Sequence, residues 1–121
     1  MTVGGIQITF APKAVSAIAN HDADTGAVVT CVYGVTAAAL KISEPVQAFM
    51  TRVRITKSFA QLTRRSPVWI NGPAVSSIRA PIPKEYVAGV NTVVFTDSLT
   101  QGVKELPSDV PKAINDHGGE L

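Results

Sequence analysis

The chain has one cysteine, two histidines and one tryptophan among its 121 residues, and aromatic residues make up only 6% of it. A single cysteine, Cys31, excludes an intramolecular disulfide framework and a multi-cysteine metal site. It lies in a largely apolar run, 27–32, and reads as a buried small hydrophobe. With only His21 and His117 beside it, no Ser-His-Asp or Cys-His arrangement can be assembled. No glycine-rich phosphate loop of the P-loop or dinucleotide-binding type is present. His21, Asp22 and Asp24 lie close together, but an EF-hand loop would need Asp or Asn where Gly26 stands and a glutamate further on. They read as solvated loop charges, so no metal and no cofactor is expected, and nothing implies a small-molecule ligand. No apolar run nears the about 20 residues that span a bilayer. Met1-Thr2-Val3-Gly4-Gly5 carries no basic start of a signal peptide. The expectation is a cytoplasmic protein with no membrane partner.

Charge is also scarce. Only 17% of residues are charged, while 45% are hydrophobic. That supplies a core and excludes a disordered chain. So low a charged fraction suggests that apolar surface is covered by a partner chain, and a homo-oligomer is expected.

What is present is mostly alternation and valine. Residues 6–10 alternate apolar and polar with period two, as does 67–71, where Val68 and Ile70 share one face and Trp69 takes the other. Each reads as a strand with one buried and one wet face. Residues 14–19 form a second short strand and 20–26 a polar loop. The valine-rich run 27–33 and the return 35–42 form a hairpin about Gly34. Ser43 then reads as a helix cap with Pro45 in the first turn. Val46, Phe49, Met50 and Val53 follow at the spacing of one helical face. Strands at 74–79, 91–96 and 99–105, a proline-containing loop at 80–89, a short helix after Pro107 and a frayed tail at 116–121 complete the chain.

This order reads as a repeat. Ala14-Val15-Ser16-Ala17-Ile18 returns as Ala74-Val75-Ser76-Ser77-Ile78. Val46 then matches Val110, and Met50 matches Ile114. The expected fold is therefore β-rich α+β in a single compact domain, 1–121. Two pseudo-repeated β-β-β-β-α units, 5–55 and 62–115, form antiparallel sheets with one central and one short C-terminal helix.

The copies differ in charge. Residues 1–50 carry Lys13 and Lys41 against Asp22, Asp24 and Glu44, a net −1. Residues 51–90 carry Arg52, Arg54, Lys57, Arg64, Arg65, Arg79 and Lys84 against Glu85 alone, a net +6. The remainder is a net −3. In Arg64-Arg65-Ser66-Pro67-Val68-Trp69-Ile70-Asn71, two guanidinium groups precede a tryptophan and an asparagine. Arginine contacts phosphate bidentately, and an exposed aromatic on a strand stacks on bases. Arg52, Arg54, Arg64, Arg65, Trp69, Asn71 and Arg79 are thus candidate nucleic-acid-binding residues. The alternative is a basic edge that blunts strand pairing, with Trp69 at a subunit interface.

Three local resemblances bear on function. Leu62-Thr63, Val68-Trp69-Ile70-Asn71, Val75-Ser76-Ser77-Ile78, Thr92-Val93-Val94, Val103-Lys104-Glu105 and residues 110–114 resemble a short β-rich module of small motility-associated bacterial proteins. That resemblance implies no catalytic residues. Arg65-Ser66 before Ile70-Asn71 is similar to the β-rich LytTR DNA-binding domain, with one residue more in the spacing. Asp24-Thr25-Gly26-Ala27 resembles the signature of retroviral-type aspartic proteases, homodimers whose chains each supply one aspartate. Here the aspartate follows Asn20-His21-Asp22-Ala23 rather than an apolar strand, and a hairpin turn accounts for the residues better. The leading expectation is a non-catalytic structural or protein-interaction module that self-associates. Nucleic-acid binding around Arg64–Asn71 is the alternative, and a protease acting through Asp24 the remote one.

Overall fold

The computed structural model describes residues 10–22, 28–35, 40–63, 67–86, 88–97 and 99–121. Eight strands and two α-helices lie among them: β1 (Ala17–Asp22), β2 (Val28–Tyr33), β3 (Leu40–Ile42), α1 (Val46–Arg52), β4 (Phe59–Thr63), β5 (Pro67–Asn71), β6 (Val75–Arg79), β7 (Thr92–Thr96), β8 (Thr100–Val103) and α2 (Val110–Asn115). The fold is β-rich α+β, with two antiparallel sheets. One has five strands in the order β3-β2-β1-β5-β4, and the other three in the order β6-β7-β8. The expected strand at 6–10, apart from Phe10, and part of the return at 35–42 fall outside the described residues. Among the described residues no helix is long and apolar enough to cross a membrane.

The five-stranded sheet is the middle layer. On β1, Ala17 and Ala19 face one side and Ile18 the other, as the two-residue period of a strand requires. Ala17 pairs with Ile70 and Ala19 with Val68 across the β1–β5 ladder. These small side chains leave room for Val75, Val94 and Val103 of the second sheet, and for Val110 and Ile114 of α2. On the opposite face Ile18, Val32, Ile42, Phe59 and Trp69 pack under Val46, Phe49 and Met50 of α1.

This arrangement corrects the wet-face expectation for 67–71. Val68, Trp69 and Ile70 are all buried, Trp69 at 8% exposure. Alternation separates the two faces of a strand without saying what covers either. Here α1 covers one and the second sheet the other.

A 3-10 turn, a three-stranded meander and a helix occur twice along the chain, from Pro12–Ala14 to α1 and from Gly72–Ala74 to α2. The residues after the two turns, Val15 and Val75, have nearly the same backbone angles: φ/ψ −74°/120° and −74°/121°. In each half a buried threonine hydroxyl donates to a glutamate carbonyl ahead of the helix: Thr30 to Glu44 at 2.5 Å, Thr92 to Glu105 at 2.7 Å. The first strand of the expected second unit, β5, does not join the meander that follows it. It pairs with β1 in the other sheet.

Three local expectations change. Asn20, His21 and Asp22 belong to β1 rather than to a loop, because their backbone pairs with Thr30, Val29 and Val28. Ser43 does not cap α1. The N-cap is Pro45, without a side-chain cap bond, and the Thr30–Glu44 bond fixes the approach instead. The tail is not frayed. Asn115 Nδ2 donates to the Leu121 carbonyl at 3.0 Å, and the Leu121 N–H donates to Asn115 Oδ1 at 2.8 Å. A Cβ at Gly119 would overlap the Ile114 side chain and approach the Gly72 carbonyl, so a residue without one lets the tail fold back.

Helix α1 ends in a Schellman motif. Ile55 N–H donates to the Met50 carbonyl and Arg54 N–H to that of Thr51, both at 3.2 Å. Arg54 thereby occupies the left-handed position, φ 59°, where glycine is usual.

Two outcomes follow for urea unfolding. Phe49→Ala, which empties the space beneath α1, lowers stability by about 3–5 kcal/mol. Arg54→Gly removes the left-handed penalty and raises stability by up to about 1 kcal/mol.

Candidate binding surfaces

The candidate nucleic-acid residues do not converge. Arg52 Nη2 lies 2.5 Å from Glu44 Oε1, with a second bond from Nε at 3.1 Å, and its guanidinium stands 5.6 Å from the Phe49 ring centroid. Arg79 grips Glu85 through both terminal nitrogens, at 2.8 and 2.5 Å, and lies 5.3 Å from the Phe95 ring centroid. Each guanidinium already has a carboxylate and an aromatic face. Trp69 is packed beneath α1, where no base can stack on it. Asn71 is buried, and its Nδ2 donates to the Val15 carbonyl at 2.9 Å. Its backbone N–H donates to the Ser16 carbonyl at the same distance, so Asn71 locks one 3-10 turn to the other. Arg64, Arg65 and Asp24 lie outside the described residues. Of the seven candidates, Arg54 alone is exposed among the described residues without a carboxylate partner.

The structure brings two other groups of residues together. The first forms around the long 80–91 connection. Such a loop without regular structure is unusual in a compact domain and is often functional. Here it is fastened. The Arg79–Glu85 pair spans its first turn, and the Ile82 N–H also donates to Glu85 Oε1 at 3.2 Å. Ile82, between two prolines, is 60% exposed. The following residues wall a cleft of about 490 Å³ over β8, lined by Tyr33, Tyr86, Val90, Leu99, Gln101 and Lys104 among others. Gly102 forms part of its floor, where a Cβ would come within 3.0 Å of the Tyr86 ring and Val90. The proline-containing loop at 80–89 is legible in the sequence. That Tyr33, 53 positions away from Tyr86, lines the same cleft is not.

The second group lies between the 3-10 turns Pro12–Ala14 and Gly72–Ala74 and the α1–β4 connection, which holds a third such turn, Thr56–Ser58. Lys13, Arg54, Ser58, Asn71 and Asp97 line a cleft of about 430 Å³ there, with Pro12 and Pro73 in its walls. Neither Lys13 nor Arg54 forms an ion pair among the described residues. The left-handed Arg54 is the only hint of this site in the geometry of α1, and no sequence period announces it.

No family model matches the chain, and no curated protein or solved structure matches it either.

The hydrogen bonds from Arg79 hold the Glu85 carboxyl below the usual glutamate range, followed by the smaller effects of the Ile82 N–H and of Arg79's charge. A depressed carboxylate contributes order that is fully present above its unfolded pKa and is lost as pH falls through the folded value. An NMR pH titration should therefore place the Glu85 midpoint below that of an ordinary glutamate. The Ile82 amide resonance should move with it, and in Glu85→Gln that movement should be absent. A midpoint at or above the ordinary value contradicts the pairing.

Proposed function

We propose that this protein is a non-catalytic interaction module that associates with itself, and that the 80–91 loop is the contact element. The observation that carries this reading is Ile82. Ile82 is the most exposed large hydrophobic residue among the described ones, at 60%, and it stands on a loop whose shape is already fixed. The Arg79–Glu85 pair and the two flanking prolines supply that order before any partner arrives, which lowers the entropy cost of association.

The aromatic cleft beside the same loop suits an apolar side chain from a second copy. Tyr33, Tyr86, Val90 and Leu99 offer apolar walls, and Gln101 and Lys104 a polar rim. A knob and a cleft at different points of one chain make a head-to-tail contact, which builds a ring or an open assembly.

The sheet edges support this route over strand pairing. β3 has three residues, and β6 carries a register shift between Val75 and Ser77. The end of β4 is tied by the Lys104 N–H to the Thr63 carbonyl at 2.8 Å, and by the Thr63 N–H and hydroxyl to the Glu105 carboxylate, both at 2.9 Å. Short, bulged and covered edges resist adding a strand.

Light scattering across a concentration series tests the proposal. The wild-type mass should rise above that of one chain as concentration increases, and Ile82→Asp should hold the mass of one chain while keeping its far-UV spectrum. A wild-type chain that stays at single-chain mass up to about 0.5 mM, well past the range of weak transient contacts, overturns it.

A further inference from the structure

The cleft between the two 3-10 turns is separate from the 80–91 loop, and its chemistry is different. Arg52, Arg79 and Lys112 each rest on a carboxylate, Glu44, Glu85 and Asp116. Arg54 and Lys13 do not, although Asp97 lines the same cleft. No ion pair joins Asp97 to either cation. Among the described residues two cations therefore line one recess without an ion pair, with the Asp97 carboxylate beside them.

Arg54 adds an independent observation. A Schellman motif needs a left-handed residue at the position after the helix cap, and glycine fills it without steric cost. Arginine there is a strained choice, at φ 59°. Strain of this kind persists where the surrounding structure over-determines it, and it clusters at functional sites; among the described residues Lys84, φ 69°, is the other left-handed non-glycine residue. The motif fixes the backbone from which Arg54 projects, since both its own N–H and that of Ile55 are bonded to α1 carbonyls. Lys13 is fixed in the same way: its 3-10 turn is closed by the Ala14 N–H to Ala11 and the Val15 N–H to Pro12. The Asn71 bonds to Val15 and Ser16 hold that turn against β5.

We infer that this cleft binds a phosphate group, held between the Arg54 guanidinium and the Lys13 ammonium. A planar fork and a point charge suit a compact anion with several acceptor oxygens. At about 430 Å³ the cleft exceeds what phosphate alone fills, so there is room for the body that carries it. The Ser58 hydroxyl donates to the Ile55 carbonyl at 3.2 Å, so it is not a donor to the anion. Asp97 opposes the anion and limits affinity. The phosphate can belong to a small phosphate ester or to a nucleic-acid backbone.

The test is an NMR titration at low salt with two probes, inorganic phosphate and a single-stranded oligothymidylate of about 12 nucleotides, within the span one small domain covers. Saturable shifts at the amides of Lys13, Arg54 and Ser58 are expected with at least one. Arg54→Gly should weaken binding about tenfold or more while melting no lower than wild type, and Asp97→Asn should tighten it several-fold, as removal of a like charge requires. An oligonucleotide that binds about tenfold or more tighter than phosphate, with affinity falling steeply in salt, identifies a backbone phosphate. Comparable affinity for both identifies a small phosphate ester. Absence of saturable shifts with both probes overturns the inference, as does binding that Arg54→Gly leaves unchanged. Because Arg54→Gly relieves backbone strain, lost binding cannot be assigned to unfolding.

Discussion

The pairing of β1 with β5 governs the rest of this molecule. Three residue pairs, Ala17–Ile70, Ile18–Trp69 and Ala19–Val68, join segments about fifty positions apart. The hairpin formed by β1 and β2 and the hairpin formed by β4 and β5 meet there to make one five-stranded sheet. Because β1 and β5 are central in that sheet, both of their faces need cover. One face receives α1 from the first half of the chain, and the other receives the second sheet and α2 from the second half. Asn71 secures the junction at its end through the Val15 and Ser16 carbonyls. Closing so distant a contact costs chain entropy, and the apolar burial on both sheet faces offsets it.

That burial decides which side chains remain for function. It takes Trp69 out of reach of a ligand and commits the Asn71 side-chain amide to the Val15 carbonyl. It leaves the surface to loops and element ends, where short-range pairing then engages two of the candidate arginines: Arg52 with Glu44, Arg79 with Glu85. Exposed pairs of this kind add little to stability. Their effect is to fix local shape, and in the case of Arg79–Glu85 the shape is a loop that holds Ile82 outward. The two candidate surfaces follow from the layers. One lies where a long connection crosses β8, and the other where both 3-10 turns approach the end of α1.

Much of the fold was legible because it rests on periods. The α+β class, the antiparallel strands and the apolar face of α1 follow from alternation and helical spacing, and Val46, Phe49 and Met50 are buried as that spacing requires. The likeness of residues 14–18 and 74–78 pointed to two segments that each follow a 3-10 turn of the same form. Most of the departures from these periods depend on a neighbour distant in sequence. Trp69 was assigned to a wet face because nothing near it in sequence names α1 as its cover. Ser43 met the criteria for a cap, but Thr30 fixes the chain at Glu44. Gly118 and Gly119 suggested fraying, yet Gly119 meets Ile114 and Gly72 closely. The basic middle was a correct count of charge, and its pairing with Glu44 and Glu85 was a matter of geometry. The Lys13–Arg54 cleft joins residues 41 positions apart through the turn and the end of α1, and no local pattern encodes it.

If the β1–β5 ladder is the junction on which both layers depend, the two halves cannot unfold separately. Trp69 is the single tryptophan and sits on that ladder, beneath α1. The direct measurement is equilibrium unfolding in urea, followed in one sample by Trp69 fluorescence and by far-UV circular dichroism. The account predicts a blue-shifted native emission and one cooperative transition with the same midpoint by both probes. Solvent-exposed native emission, or a Trp69 transition separated from the loss of secondary structure, would contradict it.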